Sequence, residues 1–215
     1  MMKTKKYAVA LMLAGMAPAG MAQAGEGQGT LSVGYAQVHS GHFREWVNHT
    51  GQETGINFGG YQKPEGINVK YRHEYSDTLG VMASVTVAGE KYSGSVSAGP
   101  TEWRKGTLRT RYVSGMVGPV WQMNRYVSLY ALAGFAYAKT SASAGEYRKE
   151  SQPDGSQVIR YRNVKAENDS HTSLAYGAGM QFSPLNSVVL DVSWEGAGSG
   201  DWRTSAFIVG VGYKF

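Results

Sequence analysis

Phe207-Ile-Val-Gly-Val-Gly-Tyr-Lys-Phe215 ends the chain in a stretch that alternates with period two. Phe207, Val209, Val211, Tyr213 and Phe215 fall on one face, and Ile208, Gly210, Gly212 and Lys214 on the other. Large apolar groups on one side and small or polar groups on the other suit a strand with lipid outside and a narrow interior inside. A soluble sheet could end the same way, so the rest of the chain must decide.

The same period recurs upstream. Leu31, Val33 and Tyr35 alternate with Ser32, Gly34 and Ala36, and Ile67, Val69, Tyr71 and His73 alternate with Asn68, Lys70, Arg72 and Glu74. Further alternating runs cover 79–88, 127–137, 174–182 and 188–195, and a less tidy segment covers 107–122. With the tail these make eight strands, an even number, each close to the ~10 residues that a tilted spanning strand needs. Between them, Ser76-Asp77-Thr78, Met123-Asn124-Arg125 and Ser183-Pro184-Leu185-Asn186-Ser187 read as tight turns. Residues 39–66, 90–106, 140–171 and 196–203 read as longer or Gly-rich loops, the third of them solvated and in part strand-extended at Val158-Ile-Arg-Tyr161. Short turns on one rim and long loops on the other are the pattern of outer-membrane barrels. On that topology Tyr75, Trp121, Tyr126, Phe182, Tyr213 and Phe215 form an inner aromatic belt, and Tyr92, Tyr137, Trp194 and Phe207 lie towards the outer one.

The amino terminus is consistent with export. Lys3, Lys5 and Lys6 precede the apolar run Tyr7 to Ala17, and Ala22-Gln23-Ala24 offers a small-residue cleavage site. Residues 1–24 are therefore expected to be a cleaved signal peptide, and 25–215 the barrel. Removing the three lysines lowers the formal charge from +5 to +2. The basic balance of the full chain is thus no argument for nucleic acid, and no partner of that class is expected. There are no cysteines, which excludes a disulfide framework and thiol chemistry. The longest apolar run after Gly25, Leu129 to Ala138, is too short for a spanning helix. A mature chain in the membrane must therefore be a closed barrel, because backbone polar groups in hydrocarbon need internal partners.

The expected fold class is all-β: an eight-stranded antiparallel transmembrane β-barrel with short periplasmic turns and long extracellular loops. A barrel of this size is filled by its own side chains. Lys70, Arg72, Glu74, Gln181, Asp191, Glu195 and one of Arg109 or Arg111 are expected to point inward and to pair there. A charged lumen could also be an ion path, but a plugged, salt-bridged interior is favoured.

Catalysis finds little support. His39, His42 and His49 lie near Glu45 and Glu53 in the first loop, which as a mobile segment would not hold a metal in fixed geometry. His171 stands beside Asp169, Ser170 and Ser173, but a triad is built by spatial convergence rather than adjacency in sequence. No catalytic, metal or cofactor residue is assigned, and a barrel-borne hydrolase is the least favoured function. The loops look more like contact surfaces. Arg44 and Trp46 in the first, and Trp103, Arg104 and Lys105 in the second, are candidate contacts, since Arg and Trp are enriched at binding hot spots. The competing reading is an interfacial girdle, with basic residues meeting lipopolysaccharide phosphates.

Several segments resemble one family. Gly66-Ile-Asn-Val-Lys-Tyr-Arg-His-Glu74, Leu79-Gly-Val-Met82, Gly118-Pro119, Ala178-Gly-Met-Gln-Phe182, Ser187-Val-Val-Leu-Asp-Val192 and Gly210-Val-Gly-Tyr-Lys-Phe215 are similar to the Ail/OmpX/Lom group of small outer-membrane proteins. Arg111-Tyr-Val-Ser114 and Gly196-Ala-Gly-Ser-Gly-Asp-Trp-Arg-Thr204 are most like its Lom branch, found in lambda-like prophages. The resemblance spans the mature chain, strongest in the strands and weakest in the first three loops. It implies an eight-stranded barrel in the outer membrane, with Phe215 as the recognition signal for the barrel-assembly machinery; a monomer in contact with lipopolysaccharide is expected. It also implies surface-exposed loops with roles in adhesion to host cells or matrix, invasion and resistance to complement. A structural role in the envelope is the alternative.

Overall fold

The computed structural model describes residues 28–152, 157–185 and 187–215, so the expected signal peptide lies outside the described residues. Eight strands close into one antiparallel barrel in chain order: β1 (Gly29–Ser40), β2 (Glu65–Glu74), β3 (Leu79–Ser97), β4 (Glu102–Gln122), β5 (Val127–Ser151), β6 (Gln157–Leu185), β7 (Val188–Ala197) and β8 (Thr204–Lys214). The carboxy-terminal strand closes it against the first, with Val33 opposite Val211 and Gly34 opposite Gly210. A Cβ on Gly210 would sit 2.9 Å from the Val33 carbonyl oxygen, so this inward position requires glycine.

Period two is kept along the wall. Val33, Val85, Val117, Phe135, Leu174, Val209 and Val211 are exposed, as an apolar surface facing lipid must be. The inner aromatic belt is exposed at Tyr75, Trp121, Tyr126, Phe182, Tyr213 and Phe215, and the outer one at Tyr35, Tyr137, Tyr176, Trp194 and Phe207. Among the described residues no helix is long and apolar enough to cross a membrane. The inner turns are closed by short side chains: Ser76 Oγ accepts from Leu79 N–H, and Asn124 Oδ1 accepts from Tyr126 and Val127 N–H.

The lumen is plugged. Lys70 Nζ lies 2.6 Å from Asp191 Oδ1 and 2.9 Å from Ser193 Oγ. Tyr130 OH and Gln181 Nε2 also donate to the Asp191 carboxylate. Below them Arg72 bonds Glu74, Ser128, Gln122 and Gln181, and Lys214 joins Glu74 at 3.1 Å. Above them Glu195 accepts from Thr86 and Ser114 hydroxyls. Arg109 and Arg111 depart from expectation: both are exposed on the outside, while Leu108, Thr110 and Tyr112 face inward. β4 runs without a bulge from Glu102 to Gln122, so the parity set by Tyr112, Ser114 and Met116 carries upward and turns the arginines out.

The segments read as loops hold the larger surprise. Residues 90–106 and 140–171 are largely strand, so β3 to β6 rise above the membrane as a four-stranded sheet. Within 39–66 lies a helix, α1 (Gly41–Thr54), rather than a mobile loop. Ser40 caps its start, Gly55 ends it in the left-handed region, and Phe43, Val47, Thr50 and Thr54 make its buried face. Val47, Ile56 and Phe58 pack with Tyr92, Leu108, Ala142 and Ala144 into a second apolar core above the lumen. Tyr92, expected in the outer belt, is turned into this core, where its hydroxyl donates to the Gln62 carbonyl. Burial, and then the neighbouring Tyr61, hold the Tyr92 phenol above its ordinary pKa, so it stays a neutral donor.

Gly94 and Gly106, opposite each other on β3 and β4, form the notch that receives this segment. A Cβ on Gly94 would lie 2.7 Å from Ile56 Cγ2, and one on Gly106 2.8 Å from the Phe58 ring. Gly106→Val is therefore expected to release Ile56–Phe58, at a cost of about 1–3 kcal/mol from overpacking. Faster amide exchange over 41–58 with unchanged protection of β1 and β8 would show it, and unchanged exchange over 41–58 would refute it.

Candidate functional site

The sheet that rises above the membrane has two chemically different faces. Glu102, Glu146, Glu150, Glu167, Asp169 and Glu90 all lie on the face turned towards the barrel axis, as their partners in the register show. There Arg104 pairs with Glu146 at 3.2 Å, Arg148 with Glu102 at 2.6 Å and Arg160 with Glu150 at 2.7 Å.

Among the described residues, the opposite face carries no carboxylate. It presents Lys91, Lys105, Arg109, Arg111 and Lys149 exposed and Lys139 half-buried. Ser93, Ser95, Ser97, Thr107, Ser141 and Ser143 supply hydroxyls between them. At its top Trp103, Tyr147 and Tyr161 stand in one row across β4, β5 and β6. Trp103 and Tyr147 stack with centroids 5.8 Å apart and planes 6° apart, and Tyr147 meets Tyr161 at 5.2 Å. Lys105 lies over the Tyr147 ring and Lys149 over the Trp103 ring, at 5.9 and 5.8 Å. From Arg111 to the level of Lys149 is ten residues of β4, or about 33 Å of strand.

The candidate contacts thus divide. Trp103 and Lys105 belong to the cationic face, while Arg104 is on the other side in its ion pair with Glu146. Arg44 is exposed on α1, and Trp46 is half-buried against the core under the helix. Lys149, Tyr147 and Tyr161 were not singled out from the sequence, although Tyr147-Arg148-Lys149 alternates in a way that places its aromatic and its lysine together.

The histidines do not converge. His49 faces Glu53 across one helical turn at 3.5 Å. His42 stacks on Trp202 at 3.7 Å, and His171 stacks on the same indole at 5.2 Å. This contact ties α1 and β6 to the connection before β8. His39, His42, Glu45, Tyr176, Trp194 and Arg203 line a cleft of about 520 Å³ at the outer rim. Among the described residues no group of three or more acidic or histidine side chains is placed to hold a metal ion. At the other rim, Phe215 exchanges backbone hydrogen bonds with Gly29, both 2.9 Å, and leaves its ring exposed.

Comparison with known proteins agrees with this architecture. The family model described as enterobacterial Ail/Lom protein matches residues 4–215. The outer membrane protein Lom of Escherichia phage lambda is 45% identical over 196 residues, covering 90% of each chain. The virulence membrane protein PagC of Salmonella typhimurium is 32% identical, covering 72% of this chain and 79% of its own. The crystal structure of Ail, the attachment invasion locus protein of Yersinia pestis, in complex with the heparin analogue sucrose octasulfate, is 30% identical with a TM-score of 0.59. That match covers 89% of this chain and 100% of the other. A closed eight-stranded barrel, a lipid-facing apolar wall and matches over nearly the whole length lead to one assignment: the chain belongs to the enterobacterial Ail/Lom family of virulence-associated outer-membrane proteins.

Proposed function

We propose that the protein is a non-catalytic adhesin whose outward sheet face holds linear sulfated glycans of host cells and matrix. The observation that carries this reading is the charge segregation. All described acidic groups of the rising sheet are on the inner face, and six cations remain on the outer one. An extended polyanion can lie along the ~33 Å track and meet cations at several levels, while sugar rings stack on the Trp103, Tyr147 and Tyr161 row. The heparin analogue in the Yersinia pestis Ail complex is a ligand of the same chemistry and supports the reading. Arg44, exposed on α1, is a further candidate contact. Attachment of complement proteins, and with it serum resistance, would use the same exposed surface.

Replacing Lys105, Arg109, Arg111 and Lys149 together by alanine is expected to weaken heparin binding by roughly 30-fold, if each exposed contact contributes about 0.5 kcal/mol. Retention of refolded protein on a heparin column, with a salt series, measures this. Elution of the variant at the wild-type salt concentration would remove the basis for the reading.

A second reading, envelope anchorage, is favoured by one observation. Arg109 lies opposite Lys91 and Arg111 opposite Lys139, just above the outer aromatic belt, at the level of lipopolysaccharide phosphates. It predicts that Arg111→Ala with Lys139→Ala raises detergent sensitivity of cells.

A further inference from the structure

Three large apolar side chains project into solvent far from the barrel wall. β7 leaves β6 at Ala175, opposite Ala197, and β6 rises on beside β5 to the end of the sheet. There Ile159 and Tyr161 are 56% and 57% exposed, and Val158 is 39% exposed. Every other large apolar group exposed among the described residues belongs to the lipid-facing wall or to the inner turns. Ile159 pairs with Lys149, which lies twelve residues of β5 beyond Tyr137 in the outer belt, or about 40 Å of strand. The protein's own bilayer therefore does not cover these side chains.

Their placement selects the partner. Val158 lies opposite Glu150 on the axis-facing side, while Ile159 and Tyr161 lie opposite Lys149 and Tyr147 on the outward side. A protein laid against one face of the sheet covers one of these groups and leaves the other in water. A medium that surrounds the end of the sheet covers both, and a bilayer surface is such a medium. The charges agree. Glu102, Glu146 and Glu150 are each taken by an arginine, at 2.6, 3.2 and 2.7 Å. Among the described residues this leaves Lys105, Lys149 and Arg162 as surplus positive charge at the end of the sheet. Aliphatic groups and a tyrosine flanked by lysine and arginine have the composition of an interfacial membrane anchor. Lipid phosphates, and the carboxylates of acidic head groups, supply the opposite charge.

We propose that the end of the rising sheet is a docking element for the phospholipid surface of a second membrane. Val158 and Ile159 enter the boundary between head groups and acyl chains, and Lys149 and Arg162 meet phosphates beside them. The inference goes beyond the glycan reading. Val158 and Ile159 take no part in the cationic track, so glycan binding and lipid binding can be lost separately.

The test uses refolded protein in phosphatidylcholine nanodiscs free of lipopolysaccharide. These are mixed with vesicles of phosphatidylcholine and phosphatidylserine and floated on a density gradient. The vesicles carry no protein or glycan, so flotation reports lipid alone. Wild-type nanodiscs are expected to float with the vesicles, and empty nanodiscs to stay below. Val158→Ser with Ile159→Ser is expected to weaken vesicle binding by roughly tenfold, since two aliphatic side chains lose their transfer to the interface. The same variant should elute from heparin at the wild-type salt concentration, because every cation is kept. Ile159→Trp should strengthen vesicle binding, an effect that a folding defect does not produce. Wild-type nanodiscs that stay below, a double serine variant that floats as wild type does, or a tryptophan variant bound no more tightly than wild type would each overturn the proposal.

Discussion

Replacing Asp191 by alanine is expected to lower barrel stability by about 3–5 kcal/mol, the usual cost of stranding one partner of a buried ion pair. Asp191 and Lys70 have side chains 1% and 2% exposed, and their charged atoms are 2.6 Å apart. The substitution leaves the Lys70 ammonium with Ser193 Oγ and the face of the Tyr130 ring, and strips the acceptor from Tyr130 OH and Gln181 Nε2. The damage is to a network rather than to one contact. Asp191→Asn should cost less, because the amide oxygen still accepts from one donor. Lys70→Met with Asp191→Leu should recover much of the loss, since an apolar pair of similar volume removes the desolvation penalty on both sides. Urea titration of the refolded barrel in detergent, followed by tryptophan fluorescence, gives the comparison. A single Asp191→Ala variant within 1 kcal/mol of wild type would show that water enters the lumen and screens the pair.

Deleting Phe215 is expected to have its large effect in the cell and a small one in the test tube. In the folded barrel the residue contributes two backbone hydrogen bonds with Gly29, and its ring lies on the lipid-facing side, 58% exposed. Losing two hydrogen bonds at the end of a strand costs about 1–3 kcal/mol, which a closed barrel tolerates. We propose that the same ring and carboxy terminus are what the barrel-assembly machinery reads, as the family resemblance implies. On that basis the truncated chain refolds in detergent but accumulates in the periplasm instead of the outer membrane. Fractionation of cells, set beside in vitro refolding yield, separates the two effects. Normal insertion of the truncated chain would overturn the assembly role, and failure of both assays would mean that Phe215 acts on folding itself.

Most of the spanning wall was legible in the residues. Phe207, Val209, Val211, Tyr213 and Phe215 are exposed in the structure, and Lys70, Arg72, Asp191 and Glu195 are buried in the lumen, as period two requires. Alternation is readable there because the two faces meet different solvents, hydrocarbon outside and a packed polar lumen inside. Above the membrane that contrast disappears. Water wets the outward face of β3 to β6, and the inward face carries charges as well as apolar groups. Residues 90–106 and 140–171 therefore read as loops, although the ladder begun in the membrane continues through them. The outward turn of Arg109 and Arg111 has the same cause: their strand shows no local apolar alternation, and only parity carried up from Tyr112 fixes it. The helix left a fainter trace. Ser40, Phe43, Val47 and Gly55 have the spacing of a capped amphipathic turn, hidden in a glycine-rich, mostly polar setting.

The sequence by itself determined the barrel, its strand number, its orientation in the membrane and, apart from Arg109 and Arg111, the charged residues of its lumen. These follow from which side chains tolerate lipid, and that is a local property repeated along each strand. Only the tertiary structure decided how far β3 to β6 rise, which face of that sheet holds the carboxylates, and that β6 stands with one edge open. Those outcomes depend on register between strands distant in sequence and on where β7 stops. A one-residue slip would exchange the two faces, and nothing within a single polar segment specifies which face turns outward.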